Sequence, residues 1–561
     1  MDNLPQELID RISSFLDPGD LSNTLTVSYQ FQLAAERHCQ AYNSFALHSG
    51  DESKKQLLNT FSEHPRRFSY LRDVVLYTEL PDLRVRKRRK TKDVVVSLEE
   101  LACRESQEEL DANDEFFTKH VLFLFETLKR FEDAAREQGH GPGRIALTIV
   151  APDRHVDTEI CLHRRYTSWR THLLRPVSLP TLRCIRSLRV EGGDQQDPID
   201  HDEIDTVVCK LDLRLICDLI TRMPELENLS WVGGGDEWTP SSRSAAIAHY
   251  YQNYEGPRRD SRHHFAEALA TATLPKSLRN ASLNFLCPLD HSEETDQRGN
   301  LPNLILPSSR GDPFSSALRA FAHQHRRLNL RVLSDSTLFW PLEPAADAPS
   351  WPNLEDLHVY FHNASPAGTW YFQGPEGEGS QTSPYAVTTE MYPPLADNDD
   401  DRDWDLWTSE AGYDEDGGVS ACFRVSPLER FLLPFLTAFV KTAEQMSRLR
   451  RYSLWTTLLW NPHDVEEVDL LQITTRSFKR RSGWGIAYAA SGTQGFEGEP
   501  GEVSSMRRIW WKTGAWRPDR ELNGQFQKIG AYNGSDLIEY YGNNEGGDEL
   551  VETTVFERFE N

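Results

Sequence analysis

The chain has 561 residues, a formal charge of −25, 38% hydrophobic residues and 26% charged residues. This balance excludes a uniformly basic nucleic-acid binder and a wholly disordered chain. The length allows a large core, built either as several domains or as one repeat array.

The opening MDNLPQELID is acidic and has no apolar leader, so neither a secretory nor a mitochondrial leader is expected and the expected location is cytoplasmic and/or nuclear. Leu4, Leu8, Ile12, Phe15 and Leu16 recur at helical spacing, with Pro5 near the first turn, where its missing N–H costs nothing. Asp17-Pro18-Gly19 breaks this helix, and Asp20 is placed to cap a second one carrying Leu21, Leu25 and Val27. A third helix is expected from about Gln30 to Tyr42. Three short helices bury too little surface to be robust alone, so the module wants a partner helix or an adjoining domain.

In order, Leu4-Pro5-x-Glu7-Leu8, Ile12, Phe15-Leu16, Asp20-Leu21, Leu25 and Val27-Ser28, followed by Phe31, resemble the F-box family. The chain departs from that pattern at Tyr29, where a basic residue is usual, and at Phe31, where Trp is commoner. The resemblance implies that residues 1–45 dock onto a Skp-type adaptor and, through it, a cullin ubiquitin ligase. Leu4, Pro5, Leu8, Ile12, Leu16, Leu21, Leu25 and Val27 then serve as the adaptor interface and the small core of the module. Ubiquitin transfer belongs to other subunits, so the chain is expected not to be an enzyme and to need no cofactor.

Residues 46–426 read as an α/β body in which a helical segment repeatedly precedes a strand-like run. Examples are Leu71-x-x-Val74-Val75-Leu76, Ile145-x-Leu147-x-Ile149, Ile185-x-x-Leu188-x-Val190, Leu226-x-x-Leu229-x-Trp231, Leu278-x-x-Ala281-x-Leu283, Leu328-x-Leu330-x-Val332 and Leu354-x-x-Leu357-x-Val359. Stacked as a parallel sheet with helices outside, these units form an irregular, leucine-rich-repeat-like arc. The competing expectation is a non-repetitive α/β domain, because the spacing is uneven and Asn or Cys is absent from the usual turn position of most copies.

Arg84, Arg86, Lys87, Arg88, Arg89 and Lys90 belong to a basic run that reads as a nuclear-import patch, a site for anionic partners, a plain solvated loop or a partner that neutralises the chain's own acidic tracts. An insertion at about 374–418, rich in Gly, Pro, Ser and acidic residues, is expected to be disordered. Four tracts, 104–115, 194–205, 397–416 and 542–561, carry −5, −6, −9 and −5, together the whole formal charge.

From 427 to 561 a C-terminal α/β domain is expected. The apolar stretch 431–440 holds a proline and falls short of the roughly 20 residues of a membrane span. It leads to a further helix–strand unit at Leu449-x-x-Tyr452-x-Leu454. Aromatic strands at 484–490 and 507–513 follow as an antiparallel cap, then a short helix and an acidic tail. From about 427 to 530, this stretch looks like the C-terminal domain of unknown function that accompanies F-boxes in many filamentous-fungal proteins.

Few residue patterns in the chain point to chemistry. Gly483-Trp484-Gly485 lacks the rest of a dinucleotide loop, and no G-x-S-x-G elbow is present. Eight dispersed cysteines argue against a zinc site and a disulfide scaffold. His263, His264, His323 and His325 are considered as metal ligands but expected to be surface histidines, so no metal is expected. Trp484, Tyr488, Trp510, Trp511 and Trp516 are read as core first and as a ligand platform second. The reading is a substrate-recruiting, non-catalytic ligase subunit whose partners are a Skp-type adaptor, a cullin complex and an unknown protein target. No membrane or nucleic-acid partner is expected. The alternatives are an adaptor-bound scaffold outside any ligase and a ligand-binding module using the C-terminal tryptophans.

Overall fold

The short apolar runs of the sequence become strands of one sheet. The computed structural model describes residues 4–81, 104–139, 141, 143–155, 169–192, 206–233, 254–286, 289–293, 295–342, 351–399, 401, 421–460, 480–495, 503–531 and 534–541. The basic run from Arg84 to Lys90 lies outside them.

Helices α1 (Gln6–Ser13), α2 (Pro18–Thr24) and α3 (Tyr29–His38) come first. Asp20 is not the cap of α2. Pro18 is well suited to a first helical position, so the helix starts earlier and Asp17 caps it, accepting the Asp20 N–H at 2.8 Å. Ser28 caps α3 in the same way through the Phe31 N–H. That helix stops at His38, short of the expected Tyr42, and Gln40 just beyond it takes a left-handed φ of 56°.

The body opens with β1 (Ser44–Leu47), α4 (Asp51–Ser62), α5 (Pro65–Phe68), β2 (Asp73–Leu76), α6 (Gln107–Glu137) and β3 (Ile145–Val150). Short strands β4 (Asp153–His155) and β5 (Arg170–Thr171) precede β6 (Ile185–Glu191), and β7 (Thr206–Val208), β8 (Lys210–Leu211) and α7 (Arg214–Ile220) precede β9 (Asn228–Val232). Next come α8 (Glu255–Thr271), β10 (Asn280–Asn284), α9 (Leu289–Glu293), β11 (Pro302–Asn303), α10 (Pro313–Ala322), β12 (Arg327–Val332) and β13 (Asp356–Phe361). The chain continues through β14 (Phe372–Gln373), β15 (Tyr385–Ala386), β16 (Ser426–Pro427), α11 (Glu429–Ala443) and β17 (Arg451–Trp460). It closes with β18 (Arg480–Ala489), β19 (Arg507–Lys512), α12 (Arg520–Lys528) and β20 (Leu537–Tyr541).

Among the described residues, twelve strands form one sheet in the order β1-β2-β3-β6-β9-β10-β12-β13-β17-β18-β19-β20. Neighbours are parallel as far as β17, which requires a crossover between each pair. Strands β18 and β19 then add antiparallel, and β20 returns parallel to β19. The molecule is thus α/β with a mostly parallel sheet.

Strand side chains alternate between two environments, as the pleat dictates. Leu328, Leu330, Leu357, Val359, Tyr452, Leu454, Ile486, Tyr488, Ile509 and Trp511 share one core with the buried faces of α6, α7, α10 and α11. On the opposite face, Tyr360, Trp455, Ala487, Ala489 and Trp510 join Leu286, Leu304 and Trp370 in a second, smaller core. Over the earlier strands that face is polar, because Thr148, Arg189, Ser230, Ser282 and Asn329 follow one another in register and are exposed or half-buried.

Two expected boundaries change. Strand β17 pairs with β13 from Arg451 to Trp455 and the main core is continuous, so residues from 427 onward complete the body instead of forming a separate domain. The insertion expected to be disordered from 374 is ordered to 399. Strand β15 pairs with β11, Tyr385 donates its hydroxyl to Glu255 at 2.8 Å, and Arg259 donates to the Tyr392 hydroxyl at 2.8 Å. Its tyrosines give this Gly- and Pro-rich stretch anchors that composition alone does not register. Residues 402–418 lie outside the described residues. Among the described residues, no helix is long and apolar enough to cross a membrane.

Candidate docking face

The N-terminal helices sort their apolar side chains into two sets. Ile9, Phe31 and Ala34 are buried together with Leu4 packed against them, and Leu21 is buried as well. Helix α3 contacts both α1 and α2, so it holds the module together. Leu8 and Ile12 lie one helical repeat apart on α1, Phe15 extends their row in the turn just after the helix, and the three face outward with exposures of 48%, 45% and 80%. Leu25, Val27 and Tyr29 are also exposed. Six of the fourteen large hydrophobic side chains exposed among the described residues therefore lie between Leu8 and Tyr29, although this stretch is a small part of the chain. Scattered exposed apolar residues need no explanation, whereas a concentration of them marks a contact surface.

The eight residues expected to share core and interface roles are divided by the structure. Leu21 is buried, and Leu4 and Leu16 are half-buried. Pro5 is exposed and precedes α1, its carbonyl accepting the Leu8 and Ile9 N–H groups. Leu8, Ile12, Leu25 and Val27 face outward. Ile9, Phe31 and Ala34 form the module's core and were not named among the eight. Ile9 and Ser13 are one helical repeat apart and both buried, a signal hidden by the stronger stripe beside it.

The module is fixed to the body through a charged contact. Glu36 of α3 is only 2% exposed and accepts hydrogen bonds from Arg66 at 3.1 Å and Arg67 at 2.7 Å, both on α5. Arg66 also donates to the Tyr29 hydroxyl at 3.0 Å, and Arg67 lies over the Tyr42 ring at 4.5 Å. Burial alone would raise the Glu36 carboxyl, but the hydrogen bonds and charges of the two arginines outweigh it and hold the carboxyl below its ordinary range.

The other candidates fare differently. Trp484, Tyr488, Trp510 and Trp511 are buried in the two cores, and the half-buried Trp516 donates its indole N–H to Glu429 at 3.1 Å. They are core, as packing explains. Gly485 lies inside β18 opposite Trp455, away from any phosphate-type loop. His263 and His325 are not surface histidines. Both are buried, bonded to the carbonyls of Leu304 and Phe321, because α8 at His263 and the turn after α10 at His325 face inward. His264 is half-buried and meets Asp212. Compared with known protein families and with curated proteins, the chain matches none.

Proposed function

We propose that the chain is the substrate-recruiting, non-catalytic subunit of a Skp-cullin-F-box type ubiquitin ligase. Residues 1–45 act as the F-box, and the sheet and its helices act as a leucine-rich-repeat-like arc. One observation carries the reading: the apolar stripe Leu8, Ile12 and Phe15 lies uncovered on a module whose own core is already filled by Ile9, Phe31 and Ala34. Those side chains contribute nothing to folding while wet, so the surface gains free energy only when a partner covers it. The stripe falls on positions of the F-box pattern, which implies a Skp-type adaptor as that partner.

The body supports the second half of the role. The open polar face of the sheet, with Arg189, Ser282 and Arg327 exposed along it, offers a rigid surface for a protein target at a fixed distance from the docking module. Rigidity matters because a target must be held where the ligase's catalytic partners reach it. Work at this location calls for a cytoplasmic or nuclear chain.

Co-expression of the full chain with a Skp-type adaptor and its cullin, followed by affinity purification, tests the reading. We expect both proteins to co-purify with the wild type and to be lost from the Leu8→Ala, Ile12→Ala double variant, with the circular dichroism spectrum unchanged. Full retention by the variant overturns the F-box assignment. Adaptor without cullin would make the chain an adaptor-bound scaffold outside any ligase.

A further inference from the structure

Among the described residues, His172, Asp212 and His264 bring one ligand atom each to within 4.8 Å of the others. The sequence separates them widely, and the fold unites them through a small structural device. Strands β5 and β8 pair in parallel, Thr171 opposite Leu211, which places the next residues, His172 and Asp212, side by side. The Asp212 N–H donates to the Thr171 carbonyl at 3.0 Å and locks that register. His264 arrives from α8, packed beside α7.

The donor geometry suits a metal. Oδ2 of Asp212 is 3.4 Å from Nε2 of His172 and 3.1 Å from Nδ1 of His264. Ligand bonds of about 2.0–2.2 Å in a tetrahedral site put neighbouring donor atoms roughly 3.3 Å apart. Oδ1 of Asp212 is occupied by the Arg214 N–H at 2.8 Å, so the carboxylate is fixed with Oδ2 toward the two rings. The outer sphere is also in place. Asp114 of α6 accepts the His172 backbone N–H at 2.8 Å through Oδ1 and sets Oδ2 3.4 Å from Nδ1 of the same ring. A carboxylate on the far nitrogen of a ligating imidazole fixes the tautomer and raises the ring's basicity.

Asp212 is buried, whereas the two imidazoles are 41% and 42% exposed. An ion held there would keep its remaining positions toward water. We infer that His172, Asp212 and His264 form a binding site for a divalent first-row transition ion of the zinc type, with Asp114 as the outer carboxylate. Two imidazoles and one carboxylate are a donor set for such ions and a poor one for calcium or magnesium, which take oxygen ligands. The competing occupant is the proton. Two imidazolium rings bridged by carboxylates would satisfy the same contacts, and neither account depends on the docking face.

Titration of the metal-free full chain with zinc chloride in a calorimeter, and with cobalt chloride in a spectrophotometer, separates the two. We expect saturation at one equivalent, visible cobalt d–d bands without a near-ultraviolet thiolate band, and a rise in melting temperature with zinc. His172→Ala and His264→Ala should each weaken binding at least tenfold, and Asp114→Asn by roughly tenfold, while the circular dichroism spectra of the metal-free variants match the wild type's, even where loss of a partner of the buried Asp212 lowers their melting temperature. Absence of saturable binding, or binding that both histidine variants retain, overturns the site. So does a thiolate band, which would move the metal to the cysteines.

Discussion

Glu36 concentrates the attachment of the N-terminal helices in one carboxylate, buried and shared by Arg66 and Arg67. Its folded-state pKa lies below the ordinary 4.5, so its contribution to stability is full above that value and is lost as the pH falls through the lower, folded one. Glu36→Gln keeps the shape and removes the charge. We expect it to cost about 2 kcal/mol, the worth of hydrogen bonds to a charged group, read from denaturant unfolding. Protection factors in α3, the exchange rates corrected for the intrinsic pH dependence of amide exchange, should then fall with acidification below pH 4.5 in the wild type and stay flat in the variant. Arg262 and Asp312 pose a harder case, a fully buried pair at 2.7 Å. Arg262→Ala leaves Asp312 charged in the core, and a loss of roughly 3–5 kcal/mol is expected in the same assay. Neither pair was legible in the sequence, because a charged residue in a charged chain carries no mark of the distant partner that buries it.

At the scale of elements, Gly485 explains how the antiparallel ending closes. A Cβ there would stand 2.5 Å from Cβ of Trp455 and 2.7 Å from the Leu454 carbonyl oxygen, and paired strands cannot move apart to make room. Gly485→Ala should therefore cost about 1–3 kcal/mol, measured by thermal unfolding, with the lesion in the β17–β18 pair. The strands with two or three alternating apolar residues, such as β3, β9 and β12, were readable because one face of each is buried. Edge strands β1 and β20 were missed. Ser44–Leu47 has one fully buried side chain and Leu537–Tyr541 has none, so pairing with β2 and β19 holds them more than their own pattern does. The helices were found wherever an apolar stripe faced the sheet. The exposed apolar stripe on α1 was found as a helix face, but its separation from the core face needed the packing of α3.

Seen whole, one sheet and one main core run from β1 to β20, while the N-terminal helices keep a core of their own. The acidic tracts are not all idle solvent-facing loops. Asp401 forms a buried pair with Arg104 at 2.6 Å, and Glu109 pairs with Arg154 at 2.8 Å. Truncation after 426 would remove β17 and leave β13 without its neighbour, and we expect that fragment to lose cooperative unfolding. Removal of residues 1–40 should spare it, because β1 and the sheet begin later. The proposed role rests on the exposed face of α1 serving as a docking surface for a Skp-type adaptor. The dissociation constant for purified adaptor, measured by calorimetry for wild type and for the Leu8→Asp, Ile12→Asp variant, addresses it most directly. We expect saturable one-to-one binding by the wild type and a loss of at least a hundredfold in the variant, with unfolding unchanged. Equal affinities, or a wild type that does not bind, would contradict it.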